Sequence, residues 1–330
     1  MPATSFRSQI SANKRNSFFL VLIVLWILIV LGASIGFLLT GDLYGVLGAT
    51  AFALLLGGVM AAGSYYGGDS LVLVASQARE VDDRTQPQLM NVVREMSLAA
   101  GIPMPKVYTI PDSAPNAFAT GRDPQHASIA VTSGLLDKLS REELQGVIGH
   151  ELSHIRNYDI RFSLLVGVLV GSIALLADFF LRFTFWGGMG GGRRSSSSSS
   201  SDSSSGVQVV VFLVAIVLAI LAPIAARLVQ LAVSRQREYL ADASSVELTR
   251  NPQGLEDALM KIAADTEPLE VANRATQHLY VVNPMKKLSD RGSGLFSTHP
   301  PILDRVNRLR AMSGQAPMDA AEVAALRGLE

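Results

Sequence analysis

The sequence predicts an α+β protein that is mostly helical, with four transmembrane helices and a short β-sheet. Apolar residues make up 49% of the 330 residues, and the mean hydropathy is positive, which is unusual for a soluble globular chain. Four apolar runs are each long enough to cross a hydrocarbon core as a helix, which takes about 20 residues. Segments with helical periodicity or with β-branched residues lie between and after these runs.

The first two apolar runs, at 17–40 and 44–63, predict a transmembrane hairpin over residues 17–66 that follows a tail of residues 1–16. The first run is too long for a signal-peptide core and stays apolar beyond its small residues, so we expect an uncleaved anchor. The alternative is a buried helical hairpin of a soluble protein.

The other two runs predict transmembrane helices at 160–186 and 207–232. The tract between them, 187–206, is rich in Gly and Ser, so we expect a disordered loop. Basic residues precede the first span, which places the N-terminal tail in the cytoplasm. Four crossings then put residues 67–159 and 233–330 on the cytoplasmic side.

Composition excludes several classes of protein and of site. The chain has 28 Lys and Arg residues against 28 Asp and Glu, so it lacks the basic excess that nucleic-acid binding needs. The absence of cysteine excludes a disulfide framework, a thiolate zinc site and a cysteine nucleophile. Any metal ion must therefore be held by histidines and carboxylates.

The cytoplasmic part is predicted to combine helices with short strands. Apolar residues recur at helical spacing from Leu89 to Met96, and Gly101 stands where a left-handed C-cap would end their helix. β-Branched residues predict strands at 106–110 and 128–132, and a short helix is expected at 320–329.

One helix of this part carries a metal-binding pattern. Ser140 and Glu143 form a capping-box pattern that predicts a helix through the segment His150-Glu151-Leu152-Ser153-His154. Residues four apart share one face of a helix, so His150 and His154 can bind one ion. Glu151, one position round, can reach a water on that ion and act as a general base. The alternative is a pair of surface histidines, which predicts no third ligand elsewhere.

A third ligand is available after the fourth span. Glu238 and Asp242 are four apart on one predicted helical face, so Glu238 could bind the metal while Asp242 accepts the outer N–H of a ligand imidazole. An acidic stripe among arginines is the alternative. His154 precedes the third span by six residues and Glu238 follows the fourth by six, so both are expected at one depth on one side of the membrane.

The chain resembles the HtpX-type membrane zinc metallopeptidases, which are related to the CAAX prenyl protease family. The matching parts are the paired N-terminal spans and the segments 115–121, 150–154, 237–242 and 297–301. The resemblance implies a cytoplasmic zincin-like (gluzincin) catalytic domain. Its first part is 67–159, with the HExxH helix, and its second part is 233–330, with the third zinc ligand.

The resemblance also implies roles for individual residues. His150, His154 and Glu238 would bind one Zn²⁺ per subunit, and Glu151 would be the catalytic base. Segment 115–121 would be an edge strand along which substrate lies extended, with Asn116 bonding a substrate carbonyl; from the residues alone it is a loop before a strand. His299 would help stabilise the oxyanion, although a histidine that only starts a helix is the alternative. Asp159 suits either an outer-shell group or the membrane boundary.

The expected function follows from this resemblance. It is a zinc endopeptidase of the cell (inner) membrane, multi-pass, that hydrolyses misfolded or damaged membrane proteins on the cytoplasmic side as protein quality control. Unfolded membrane proteins and the lipid bilayer are the expected partners, with no nucleic acid. The alternatives are CAAX-type prenyl-peptide processing and an inactive, zinc-stabilised membrane adaptor, although an adaptor would not need the base Glu151.

Overall fold

The computed structural model describes residues 25–37, 40–160, 235–265 and 300–319, with isolated positions at 19, 22, 173–175, 177–178, 182, 216, 220, 267, 269 and 321–322. The chain divides into two compact units. One consists of residues 14–64 and 165–230, and the other consists of residues 1–13, 65–164 and 231–330.

Two apolar helices make up most of the described part of the first unit. They are α1 (Leu25–Phe37) and the beginning of α2 (Leu43–Ala75). Among the described residues, only the stretch Leu43–Gly63 of α2 is long and apolar enough to cross a membrane, with a mean hydropathy of 1.9 and 11% of it buried. The predicted spans at 160–186 and 207–232 and the loop 187–206 lie outside the described residues, apart from isolated positions.

A small mixed sheet is the centre of the second unit. Its strands are β1 (Arg79–Glu80), β2 (Lys106–Ile110), β3 (Ala117–Gly121) and β4 (Ala127–Thr132). They lie in the order β1-β2-β4-β3; β2 and β4 are parallel, whereas the other two pairings are antiparallel. Among the described residues, β3 is therefore an edge strand. The two strands predicted from β-branched residues are confirmed.

Helices α3 (Pro87–Ala100), α4 (Ser133–Lys138) and α5 (Arg141–Arg156) complete the first half of this unit. Gly101 ends α3 in the left-handed conformation, with φ 67° and ψ 33°, as predicted. The capping box that begins α5 is also confirmed, because Ser140 and Glu143 bond each other's backbone N–H groups. Apolar side chains of α3 and α5 pack on one face of the sheet in a continuous core.

Three further helices pack around α5. They are α6, described from 235 to 249, α7 (Pro252–Ala264) and α8 (Ile302–Met312). Leu255, Leu259, Val306 and Leu309 of α7 and α8 join the core of α3 and α5. Of the helix predicted at 320–329, only residues 321 and 322 are described, and both are helical.

Candidate metal centre

Helix α5 brings two histidines together, one turn apart. The ring of His150 is fully buried and that of His154 is largely buried, and their Nε2 atoms lie 3.2 Å apart. Because both Nε2 atoms point to the same place, the two rings can act on one bound group.

Helix α6 adds a carboxylate at the same point. The two carboxylate oxygens of Glu238 lie 3.5 Å from the Nε2 atoms of His150 and His154, one oxygen to each ring. The three residues each offer a ligand atom within 4.8 Å of the others. The structure thus brings together the three residues that the sequence predicted as metal ligands.

Close helix packing sets this arrangement. A Cβ on Gly149 would lie 2.9 Å from Ser245 Oγ, so only a residue without a side chain lets α6 come this near to α5. Ser245 Oγ donates a hydrogen bond of 2.6 Å to the carbonyl oxygen of Gly146. Glu238 stands two turns earlier on α6, so this contact holds it against the histidine helix.

Each histidine is oriented from behind by a carboxylate. The Nδ1 of His150 lies 2.9 Å from Asp242, and the Nδ1 of His154 lies 3.1 Å from Asp159. When these carboxylates accept Nδ1–H, each Nε2 keeps its lone pair for a metal. Asp242 therefore lies beside a ligand imidazole, as predicted from the sequence, and Asp159 has the same position beside the His154 ring.

Two arginines stand behind these carboxylates. Arg305 of α8 donates two hydrogen bonds to Asp242, at 2.9 and 2.7 Å, and is fully buried. Arg237 of α6 lies 3.4 Å from Asp159. Neither arginine was predicted from the sequence as part of the centre. Arg305 had a detectable signal, because it interrupts the apolar stripe of an amphipathic helix at a position that must face the core.

Burial and neighbouring charges shift the proton affinities of the centre. Burial alone lowers the pKa of His150, but its bonds to Asp242 and Glu238 outweigh this effect and raise the pKa to about 9. Burial raises the pKa of Glu151. Burial also acts to raise the pKa of Asp242, but the Arg305 guanidinium and the bond to His150 together outweigh it and lower that pKa. Asp242 thus stays ionised, whereas Glu151 is suited to take up a proton.

The side chain of Glu151 lies between its own helix, α5, and strand β3. Its carboxylate is buried and accepts a hydrogen bond from the backbone N–H of Ala119 in β3. Asn116, just before β3, is also buried; its side-chain oxygen accepts the N–H of Ala117 at 3.0 Å, and its own N–H donates to Thr132 Oγ1 at 2.9 Å. His299 lies outside the described residues.

The donor set fits a zinc ion. Tetrahedral Zn²⁺ with nitrogen and oxygen ligands at about 2.0–2.2 Å places those ligand atoms roughly 3.3–3.6 Å apart. The observed separations are 3.2 Å between the two nitrogens and 3.5 Å from each nitrogen to a carboxylate oxygen. Two histidines, one glutamate and an open fourth position are also the ligand set of catalytic zinc sites.

A helix with two histidines and an adjacent glutamate, joined by a carboxylate from a second helix beside an edge strand, defines a metallopeptidase. The chain belongs to peptidase family M48, whose profile matches residues 83–313. It is 46% identical over 305 residues to a protease HtpX homolog of Listeria monocytogenes and 47% identical over 307 residues to one of Streptococcus thermophilus. Each alignment covers 92% of this chain and 99% of the relative.

A solved structure shows the same fold. The crystal structure of S. mikatae Ste24p superimposes with a TM-score of 0.51 at 19% sequence identity. The superposition covers 78% of this chain and 57% of that chain. At this identity the likeness concerns the fold alone.

Proposed function

We propose that the chain is a membrane-bound zinc endopeptidase whose metal ion is held by His150, His154 and Glu238. The convergence of two Nε2 atoms and one carboxylate at tetrahedral spacing carries this proposal. The apolar helix Leu43–Gly63 and the two predicted spans after residue 159 support the membrane anchor.

The chain's own residues supply the proton transfers. Zinc bound at this centre would lower the pKa of a water molecule and polarise the scissile carbonyl. Glu151 accepts the proton of the attacking water and then donates it to the leaving amine. One water is consumed for each peptide bond, which becomes a carboxylate and an amine. Asp242 and Asp159 keep both histidine rings in the tautomer that faces the metal.

Substrate would bind as an additional strand beside β3, with its scissile carbonyl near Glu151. The Asn116 side-chain oxygen now accepts the N–H of Ala117. When a strand is added, the side chain would turn so that its Nδ2 group donates to a substrate carbonyl. His299 would support the oxyanion from the segment before α8.

The proposed topology keeps the four spans of the sequence analysis, with 67–159 and 233–330 forming one catalytic domain in the cytoplasm. Unfolded or damaged membrane proteins are the proposed substrates, and their removal from the cell membrane is the proposed role. Strand addition supports unfolded proteins as substrates, because it binds an extended main chain through backbone hydrogen bonds and depends little on the side chains.

The test is zinc content and casein cleavage, measured on the same preparations with and without a chelator. Glu151→Gln should keep its zinc and lose at least about 100-fold in activity, because the general base is removed. Glu238→Ala should lose zinc. Glu142→Gln changes an exposed glutamate of the same helix and should match the wild type. Full activity in Glu151→Gln, or unchanged zinc in Glu238→Ala, would contradict the proposal.

A further inference from the structure

The tip of the β3–β4 hairpin touches α2 just beyond its apolar stretch. That stretch ends at Gly63, and Tyr65 and Tyr66 follow, with their rings at 86° and 5.0 Å between centroids. The guanidinium of Arg122 lies 6.0 Å from the Tyr65 centroid and 5.6 Å from the Tyr66 centroid, within cation–π range. Tyrosines are enriched where spanning helices leave the hydrocarbon core. With Leu43–Gly63 as the span of the proposed function, Arg122 therefore lies at the level of the membrane surface.

From that level, β3 runs alongside α2. Arg122, directly after the strand, contacts Tyr65 and Tyr66, while Phe118 shares a buried apolar cluster with Leu73, two turns further along the helix. These two points show that residues earlier in β3 lie further along α2. The edge strand therefore leads away from the tyrosine pair.

The proton-transfer residue stands a short way along this strand. Ala119, whose N–H bonds Glu151, precedes Arg122 by three residues. At about 3.3 Å per residue this separation is roughly 10 Å. A substrate strand that paired with β3 would cover the same distance with the same number of residues.

The hairpin tip is also constrained in shape. Gly121 has φ +130°, and a side chain on it would collide with the carbonyl oxygen of His126. Asp123 caps the following turn by accepting the N–H groups of Gln125 and His126 at 3.0 and 2.9 Å. A tip fixed in this way keeps Arg122 at a constant distance from Glu151.

We propose that the enzyme cleaves its substrates at a fixed, short distance from a membrane-spanning segment, about three to four residues beyond the end of that segment. The substrate class is therefore a membrane protein with an extended juxtamembrane strand. Such a strand leaves the bilayer beside Arg122, pairs with β3 and reaches Glu151 after about three residues. The inference rests on the proposed peptidase function and adds a distance rule to it.

The experiment separates distance from sequence preference. The full-length enzyme, loaded with zinc, is placed in liposomes with a single-span protein whose tail consists of identical short repeats. Every repeat offers the same bonds, so only the distance from the span differs. Mass spectrometry of the products should show cleavage concentrated in the first repeat, at least fivefold above later repeats. A three-residue spacer should move the cut by three residues in the sequence and leave its distance unchanged.

Three variants link the rule to the hairpin tip. Arg122→Ala should reduce the preference for the first repeat at least threefold, whereas Arg122→Lys, which keeps the cation, should retain it. Arg84→Ala, an exposed arginine before α3, is the matched control and should behave as wild type. Even cleavage along the repeats, or a cut that stays at one sequence position, would overturn the distance rule. Failure to cleave the tail as a soluble peptide, together with casein, would instead overturn the peptidase function.

Discussion

Replacing Arg305 with methionine removes a charge from the most deeply buried part of the centre while keeping a side chain of similar length. The guanidinium donates bonds of 2.9 and 2.7 Å to Asp242, and side chains of both residues are at most 3% exposed. Without it, the Asp242 carboxylate stays buried against His150 and loses the cation that the Arg305 side chain supplies. Removing one partner of a buried ion pair costs about 3–5 kcal/mol.

The same change should weaken zinc binding. Asp242 orients the His150 ring, and loss of such outer-shell support typically lowers metal affinity about 10–100-fold. Zinc affinity is measured by competition with a chromogenic chelator, and stability by thermal unfolding in detergent. Arg308→Met is the matched control: it lies one turn on, is exposed and stacks 3.6 Å over the Tyr239 ring, so it should cost no more than about 1 kcal/mol. If Arg305→Met were as stable as Arg308→Met and bound zinc equally well, the Arg305–Asp242 pair would not hold the centre together.

Three further predictions concern the framework around the centre. Gly146→Ala should destabilise by about 1–3 kcal/mol in a thermal melt, because its Cβ would lie 2.8 Å from the Leu255 backbone. Gly67→Ala, inside α2 with nothing within 4 Å, should instead be neutral or stabilise by up to about 1 kcal/mol. Ser140→Ala should cost about 1 kcal/mol in the same assay, because the first turn of α5 loses its cap to Glu143 N–H. Removing zinc by chelation should lower the melting temperature reversibly, with a loss of about 4 kcal/mol if the metal had been present at 1,000 times its dissociation constant; an unchanged melt would mean that no metal stabilises the fold.

The structural features that were predicted best from the sequence are those that depend on a few neighbouring residues. The cap of α5 and the left-handed end of α3 at Gly101 depend on contacts within one turn, and both were found as predicted. The facing of His150 and His154 follows from helical spacing alone. Glu238 was identified because it forms an i,i+4 pair with Asp242, which is also a local pattern.

Other features depend on contacts between distant parts of the chain. Arg305 lies beside His150 although 155 residues separate them in the sequence, and no local sequence pattern predicts this contact. Strand β3 has the sequence Ala-Phe-Ala-Thr-Gly, with little β-propensity, and forms because β4 pairs with it along its whole length. Helix α2 continues to Ala75, whereas the predicted transmembrane hairpin ends at residue 66.

The balance of charge in the metal centre explains why buried arginines and buried carboxylates from distant parts of the chain meet there. Among the described residues of the centre, four buried carboxylates, those of Glu151, Asp159, Glu238 and Asp242, face two buried guanidinium groups, those of Arg237 and Arg305. With neutral histidines this leaves an excess of two negative charges in a region that water does not screen, which is costly unless a cation balances it. One zinc ion carries that charge. Without an ion, protons can replace part of it, and the raised pKa values of His150 and Glu151 show where they would bind. The arginines thus offset enough of the charge to let the site fold, and leave an excess that a divalent metal ion neutralises.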